Sequence, residues 1–315
     1  MDEGRSTVSV SRLCCENVVT SINGLEGWNG MLEDAGSLRT YEGAVAVITG
    51  GASGIGRSLG EELAARGCEV VLADLQLDVA KEVAAKICER GGKASAYTLD
   101  VTDSEAVELL LKYTFERCRR LDYMFNNAGI ALNGKFEDFE LQHWRKTIDI
   151  NLMGVVYGTR AAHRYMSQQG FGHVINTASF AGVFPWPTTI AYTTSKHAIV
   201  GMSTALRAEL ADTGIQVSVL CPGTILTPMI EKGASPERWV GTYDREKLEI
   251  FFKGASGMAP DKFASKALDR IAQNKAVIVL PASYGMLWWI NRVSPALAMA
   301  LSRKIYGAIL KRIAG

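Results

Sequence analysis

A strand-length apolar run, Ala44–Thr49, passes directly into Thr49-Gly50-Gly51-Ala52-Ser53-Gly54-Ile55-Gly56. Ile55, Leu59 and Leu63 then recur every four residues, the spacing of a helix resting on a sheet. A strand that enters a glycine turn and leaves as a helix is the arrangement a dinucleotide pyrophosphate needs. The phosphates must approach the backbone, so side chains have to be absent, and the N–H groups of the helix start then point at the anion. Gly50, Gly54 and Gly56 would supply the tight turn, the close approach and the close helix packing. Eighteen residues after Gly56, a second strand-like run ends in Ala73-Asp74-Leu75. A carboxylate there can accept hydrogen bonds from ribose hydroxyls and would repel a 2′-phosphate. No Lys or Arg follows at 75 or 76, so the sequence favours NAD over NADP.

The same alternation continues along the chain. Strand candidates at Glu69–Ala73, Ala94–Leu99, Leu121–Asn126, His173–Thr177, Gln216–Leu220 and Ala276–Leu280 are separated by helical stretches, among them Leu77–Arg90, Ser104–Cys118, Ala191–Thr213 and Asp261–Asn274. Strands rich in Val, Ile and Leu, each followed by a helix, predict a parallel sheet buried on both faces. The fold class is therefore α/β, a doubly wound Rossmann-type sheet of about seven strands. No Pro- or Gly-rich linker divides it, so we expect one catalytic domain over 42–282. Residues 1–41 read as a flexible N-terminal extension, with Met31 as an alternative start, and 283–315 as an apolar, amphipathic helical tail.

The remaining bulk properties mainly exclude function classes. A net charge of +1 leaves no electrostatic footprint for nucleic acid. Six cysteines without a C-x-x-C pair or a His cluster argue against a metal site or a disulfide framework, and for a reducing, cytoplasmic setting. Cys68, Cys88, Cys118 and Cys221 read as small buried apolar residues. The N-terminus lacks the apolar run of a secretory signal. The charge-free stretch from Ala276 to Asn291 is too short to span a bilayer.

Two sets of residues carry chemistry. Tyr192 and Lys196 stand four apart on a predicted helix and share a face. A neighbouring ammonium favours the phenolate, each pKa unit being worth about 1.36 kcal/mol, and so suits the tyrosine to acid–base work. Ser179, just past the fifth strand, can polarise a reacting oxygen. Asn151 lies inside a predicted helix, where asparagine is unfavourable, which points to a specific use. At the cofactor end, Asp100-Val101 and Asn126-Asn127-Ala128-Gly129 lie at strand ends, where ligands of open α/β sheets bind.

Together, TGGASGIG at 49–56, NNAG at 126–129, Asn151, Ser179, Tyr192-x-x-x-Lys196 and Pro222-Gly223 resemble the short-chain dehydrogenase/reductase family, in its simple single-domain branch, over residues 42–282. That resemblance implies a catalytic tetrad. Tyr192 would exchange the substrate proton, Lys196 would tune the tyrosine and bind the nicotinamide ribose, Ser179 would hold the substrate oxygen, and Asn151 would support a water. It also implies a cofactor site formed by Gly50, Ser53, Gly54, Ile55, Gly56, Asp74, Asp100, Val101, Asn127, Tyr192, Lys196, Pro222, Gly223 and Thr227. Family members associate through the two long helices, here those carrying Asn151 and Tyr192, so a homodimer or homotetramer is expected. The activity implied is hydride transfer between NAD(H) and a secondary alcohol or ketone. A non-catalytic NAD-binding regulator or scaffold is the alternative, and the intact tetrad argues against it.

A substrate lid is expected over about 227–260, with Met229, Ile230, Trp239, Tyr243, Phe251, Phe252 and Met258. Phe180, Val183, Phe184, Pro185 and Trp186 lie in the loop after Ser179. These residues suggest either an apolar pocket or a lid packed on the body; a steroid, a fatty-acyl derivative and an alicyclic or aromatic alcohol all fit the first. In the tail, Leu297, Leu301, Ile305, Ile309 and Ile313 recur every four residues among Arg303, Lys304, Lys311 and Arg312. Such a helix packs on its own protein or a neighbouring subunit, the reading we favour, or lies on a membrane surface.

Overall fold

The computed structural model describes residues 37–233, 235–254 and 256–313. Met31 and Cys14–Cys15 lie outside them. Seven parallel strands form one sheet: β1 (Val45–Thr49), β2 (Glu69–Asp74), β3 (Lys93–Thr98), β4 (Tyr123–Asn126), β5 (Gly172–Thr177), β6 (Ile215–Pro222) and β7 (Val277–Leu280). Their spatial order is β3-β2-β1-β4-β5-β6-β7. Strand order therefore reverses between β1 and β4, and such a switch point opens a crevice at the carboxyl ends of the strands.

Helices α1 (Gly54–Ala65), α2 (Leu77–Glu89) and α9 (Pro260–Ala272) cover one face, with Leu59, Leu63, Val83 and Phe263 packed on Ile48, Val70 and Phe125. Helices α3 (Ser104–Cys118) and α5 (Gly154–Gln169) pack on the other, through Leu111, Ala162 and Met166 against Val47, Met124 and Val174. Helix α6 (Ile190–Glu209) joins that face, burying Ile199 with Val219 and Cys221. Burial on both sides accounts for the near-continuous apolar strands.

The ordered fold begins before residue 42. The Tyr41 ring lies 5.4 Å from that of Tyr123, its hydroxyl donates to Leu268 O, and the Arg39 N–H donates to Asp122 Oδ1 at 3.2 Å. The buried Asp122 carboxylate gathers this segment, since it also takes Arg120 at 2.6 Å.

Helix α4 (Leu141–Ile148) does not run straight into α5. One π-helical turn, Asp149–Met153, joins them. Past β6 come the short α7 (Pro228–Glu231) and α8 (Arg245–Lys253), followed after β7 by α10 (Ala282–Val293) and α11 (Pro295–Ile313). The tail packs on its own chain, as favoured from the sequence. Ala298, Leu301 and Ile305 face the core of α6 and β6, and Ile309 meets Leu248 of α8. Leu297 does not join them and stays 49% exposed. A strict four-residue repeat drifts by about 40° per step around a helix of 3.6 residues per turn, so three steps separate Leu297 from Ile309 by about 120°. No described helix is long and apolar enough to cross a membrane.

Candidate active site

The glycine turn closes on itself. Gly50 and Gly54 adopt left-handed backbone, φ +68° and +54°. A Cβ on Gly56 would lie 2.1 Å from Gly50 O, so α1 can approach β1 this closely only without a side chain. Asn127 braces the turn, its Nδ2 donating to Thr49 O at 3.1 Å and its N–H to Thr49 Oγ1 at 3.0 Å. Ser53 caps α1 but makes no side-chain capping bond, and no acid occupies the first turn. These features fit a diphosphate: a turn closed to side chains and a helix start free of negative charge. The Asp74 carboxylate stands at the same rim, accepting from Ala52 N at 3.0 Å and Gln76 N at 3.0 Å.

From this turn a cleft of about 800 Å³ runs along the strand ends to Tyr192 and Lys196. Gly50, Ser53, Gly54, Ile55, Asp74, Asp100, Val101, Asn127, Pro222 and Thr227 all line it. Gly56 stands behind the turn, and Gly223 faces away from the cleft, where a Cβ would meet the Tyr284 ring at 2.6 Å. Asp100 forms its own turn, accepting from Thr102 N and Thr102 Oγ1 at 2.9 and 2.7 Å. Val101 is buried and a Gly154 Cβ would touch it, so this residue packs the start of α5 as well as lining the cleft.

At the far end, Lys196 is 3% exposed and donates from Nζ to Thr177 O at 2.8 Å. Its Nζ lies 5.4 Å from the centre of the Tyr192 ring. Burial pushes this ammonium down to about 8. The same burial raises the Tyr192 phenol, while a hydrogen bond with Ser179 works the other way and the Cys221 thiol adds a smaller upward push. The expectation of a phenol drawn down by its lysine is therefore not met here: desolvation is the larger effect. Ser179 itself is nearly buried, its Oγ accepting from Ala181 N at 3.2 Å.

Asn151 sits in the π turn and is fully buried. Its Oδ1 accepts from Ile130 N at 2.8 Å, and its Nδ2 donates to Ile130 O at 2.9 Å and to Ser195 Oγ at 3.2 Å. It thus clamps the loop after β4 to α6. A Cβ on Gly129 would approach Asn151 Oδ1 at 3.1 Å and Lys196 Nζ at 3.5 Å, which puts the two side chains on one side of that loop.

Several cleft residues escaped sequence reasoning. Lys146, Asp149, Met153 and Tyr157 form one wall; their spacing of three and four is the helical signal that marks them. Arg238 overhangs the cleft from the segment after α7, its guanidinium pushed down by burial and partly restored by Glu237. No periodicity marks it. Of the expected apolar lining residues, Met229 does face the cleft. Phe180, Val183 and Phe184 are core residues packed against α10, and Trp239 and Tyr243 pack on α11. Cys68 and Cys221 are buried, whereas Cys88 and Cys118 are only partly so. Among the described residues no cluster of His, Cys, Asp and Glu could hold a metal.

The family model for short chain dehydrogenase matches residues 44–238. The chain belongs to the short-chain dehydrogenase family. The chain is 35% identical over 277 residues to "Probable oxidoreductase EphD" of Mycobacterium tuberculosis, covering 85% of the chain and 46% of that protein. It thus spans about half the length of those relatives. A cyclohexanol dehydrogenase of Acinetobacter is 35% identical over 59% of the chain and 76% of its own length. An NAD-dependent glycerol dehydrogenase of Listeria innocua is 34% identical over 74% and 89%. Among solved structures, a short chain dehydrogenase/reductase from Burkholderia phymatum in complex with NAD aligns with a TM-score of 0.74 at 26% identity, over 82% of this chain and 96% of that one. Levodione reductase aligns with a TM-score of 0.69 at 30% identity, over 78% and 98%.

Proposed function

We propose that this protein exchanges a hydride between NAD(H) and a secondary alcohol or ketone. The observation that carries the reading is a tyrosine and a buried lysine side by side at one end of a cleft whose other end is a glycine turn closed to side chains. The nicotinamide, when bound, supplies or accepts the hydride. Gly50, Ser53, Gly54 and Ile55 would hold the diphosphate, Asp74 the adenosine ribose, and Lys196 the ribose nearer the reaction.

Tyr192 moves the proton. Burial keeps its phenol protonated, so it can donate from Oη to a ketone oxygen during reduction; in oxidation the same oxygen takes the hydroxyl proton. The Ser179 hydroxyl, hydrogen-bonded with the phenol, orients the substrate oxygen toward it. Lys196 places a positive charge beside the ring, which stabilises the phenolate when it forms. Asn151 holds the loop that walls this end of the site. Asp74 at the rim would repel a 2′-phosphate and so favours NAD over NADP, a reading that the likeness to an NAD-dependent glycerol dehydrogenase supports. The proposal includes a cytoplasmic homodimer or homotetramer joined along α5 and α6.

Replacing Tyr192 with phenylalanine should lower turnover by at least a thousandfold and leave NADH affinity within about threefold, read by cofactor absorbance and by fluorescence titration. Unchanged turnover would remove Tyr192 from the chemistry.

A further inference from the structure

The inner face of the α10–α11 hairpin is spent on the core, yet its outer face is also apolar. Met286 (68% exposed), Trp289 (61%) and Val293 (78%) project from α10, and Leu297 (49%) and Met299 (60%) are exposed on α11. The three on α10 are spaced three and four apart and so share one face. An exposed run of this kind marks a surface that meets something.

Charge indicates what it meets. From 282 to 313 the chain carries Arg292, Arg303, Lys304, Lys311 and Arg312 and no acid. All five are exposed. Leu297, Lys304 and Lys311 recur at sevens and so lie along one side of α11, while the Arg292 guanidinium stands 5.3 Å from the centre of the Trp288 ring, next to Trp289. The neighbouring α8 does not neutralise this charge with Glu249, which already pairs with Arg245 and Lys253. A second copy of the chain would set this positive face against itself. Trp and aliphatic side chains flanked by exposed cations suit an anionic interface with an apolar interior.

We propose that the outer face of the α10–α11 hairpin docks this protein peripherally on a bilayer containing anionic lipid. Trp289, Val293 and Met286 enter the acyl boundary, and the five cations meet the head groups. Because α11 also packs on α8 and Trp239, the docked hairpin and the segment that follows Arg238 of the cleft are packed together. The inference concerns association alone and is independent of the proposed chemistry.

Co-sedimentation of the full chain with unilamellar vesicles tests it. Binding should be clear with 30% phosphatidylglycerol in phosphatidylcholine, at least tenfold weaker with phosphatidylcholine alone, and weakened by 0.5 M salt. The double variant Lys304→Glu/Lys311→Glu should lose about thirtyfold or more on anionic vesicles. Trp289→Ser/Val293→Ser should weaken binding at every lipid composition. All four positions are exposed, and an unchanged thermal melt shows that the variants remain folded. Failure of the wild-type chain to sediment with anionic vesicles at low salt would overturn the proposal. So would equal binding by the charge-reversed variant, or a concentration-dependent dimer abolished by Trp289→Ser/Val293→Ser without any vesicle binding.

Discussion

Lys196 gives a prediction whose sign and size both follow from its surroundings. Burial lowers its ammonium from 10.5 to about 8. At roughly 1.36 kcal/mol for each tenfold change in proton affinity, the folded state therefore carries about 3 kcal/mol of penalty for holding that charge at neutral pH. Below pH 8 both folded and unfolded chains hold the proton, and the penalty is complete. Between pH 8 and 10.5 the unfolded chain still binds a proton that the folded chain has released, so stability rises with pH. Above 10.5 neither binds it and the penalty is gone. The Cys221 thiol of the same site, pushed up to about 12, stays protonated across this window, and burial moves the Tyr192 phenol upward as well. Lys196→Met removes the titration and leaves the Thr177 carbonyl without its 2.8 Å donor, an offset that does not depend on pH. Urea unfolding of both proteins from pH 7.5 to 10.5, followed by circular dichroism and fluorescence, reads the difference in their stabilities. That difference should move by about 3 kcal/mol toward the wild type as pH rises. A constant difference would refute the claim that this lysine is held in a desolvated, proton-repelling site.

Other perturbations test the frame around it. Gly56→Ala should destabilise the protein by about 1–3 kcal/mol, because its Cβ would fall 2.1 Å from Gly50 O, and should weaken NADH binding measurably by calorimetry. Asn151→Ala removes both hydrogen bonds to Ile130 and the one to Ser195, so a loss of roughly 2–4 kcal/mol in urea unfolding and a mobile 130–135 loop in hydrogen exchange are expected. Asp74→Ser should raise kcat/KM for NADPH relative to NADH at least tenfold, since it removes a carboxylate that would repel a 2′-phosphate; an unchanged ratio would assign cofactor choice to other residues.

The sheet was readable from the sequence because strands buried on both faces leave a dense signature. Glu69–Asp74 extends the expected strand by one residue at its end, and Lys93–Thr98 lies one residue earlier than expected. The glycine turn was readable for a related reason: a place that excludes side chains leaves a mark in composition. The π turn at Asp149–Met153 was not, because one extra residue in a helical turn disturbs no apolar spacing. Apolar residues near the site were the least informative. Phe180 and Phe184 have the same sequence character whether they line a pocket or fill a core, and their neighbours on α10, more than a hundred residues later, decide it. Polar residues at strand ends discriminate better. A buried Asn or Lys must find a partner, and the partners of Asn151 and Lys196 are backbone atoms of the cleft itself. Arg238 shows where that logic stops: it reaches the cleft from a segment without periodicity, and only the folded chain brings its charge there. The parts of such a site that determine the reaction are therefore legible early, while those that select the substrate come from segments whose position the fold alone determines.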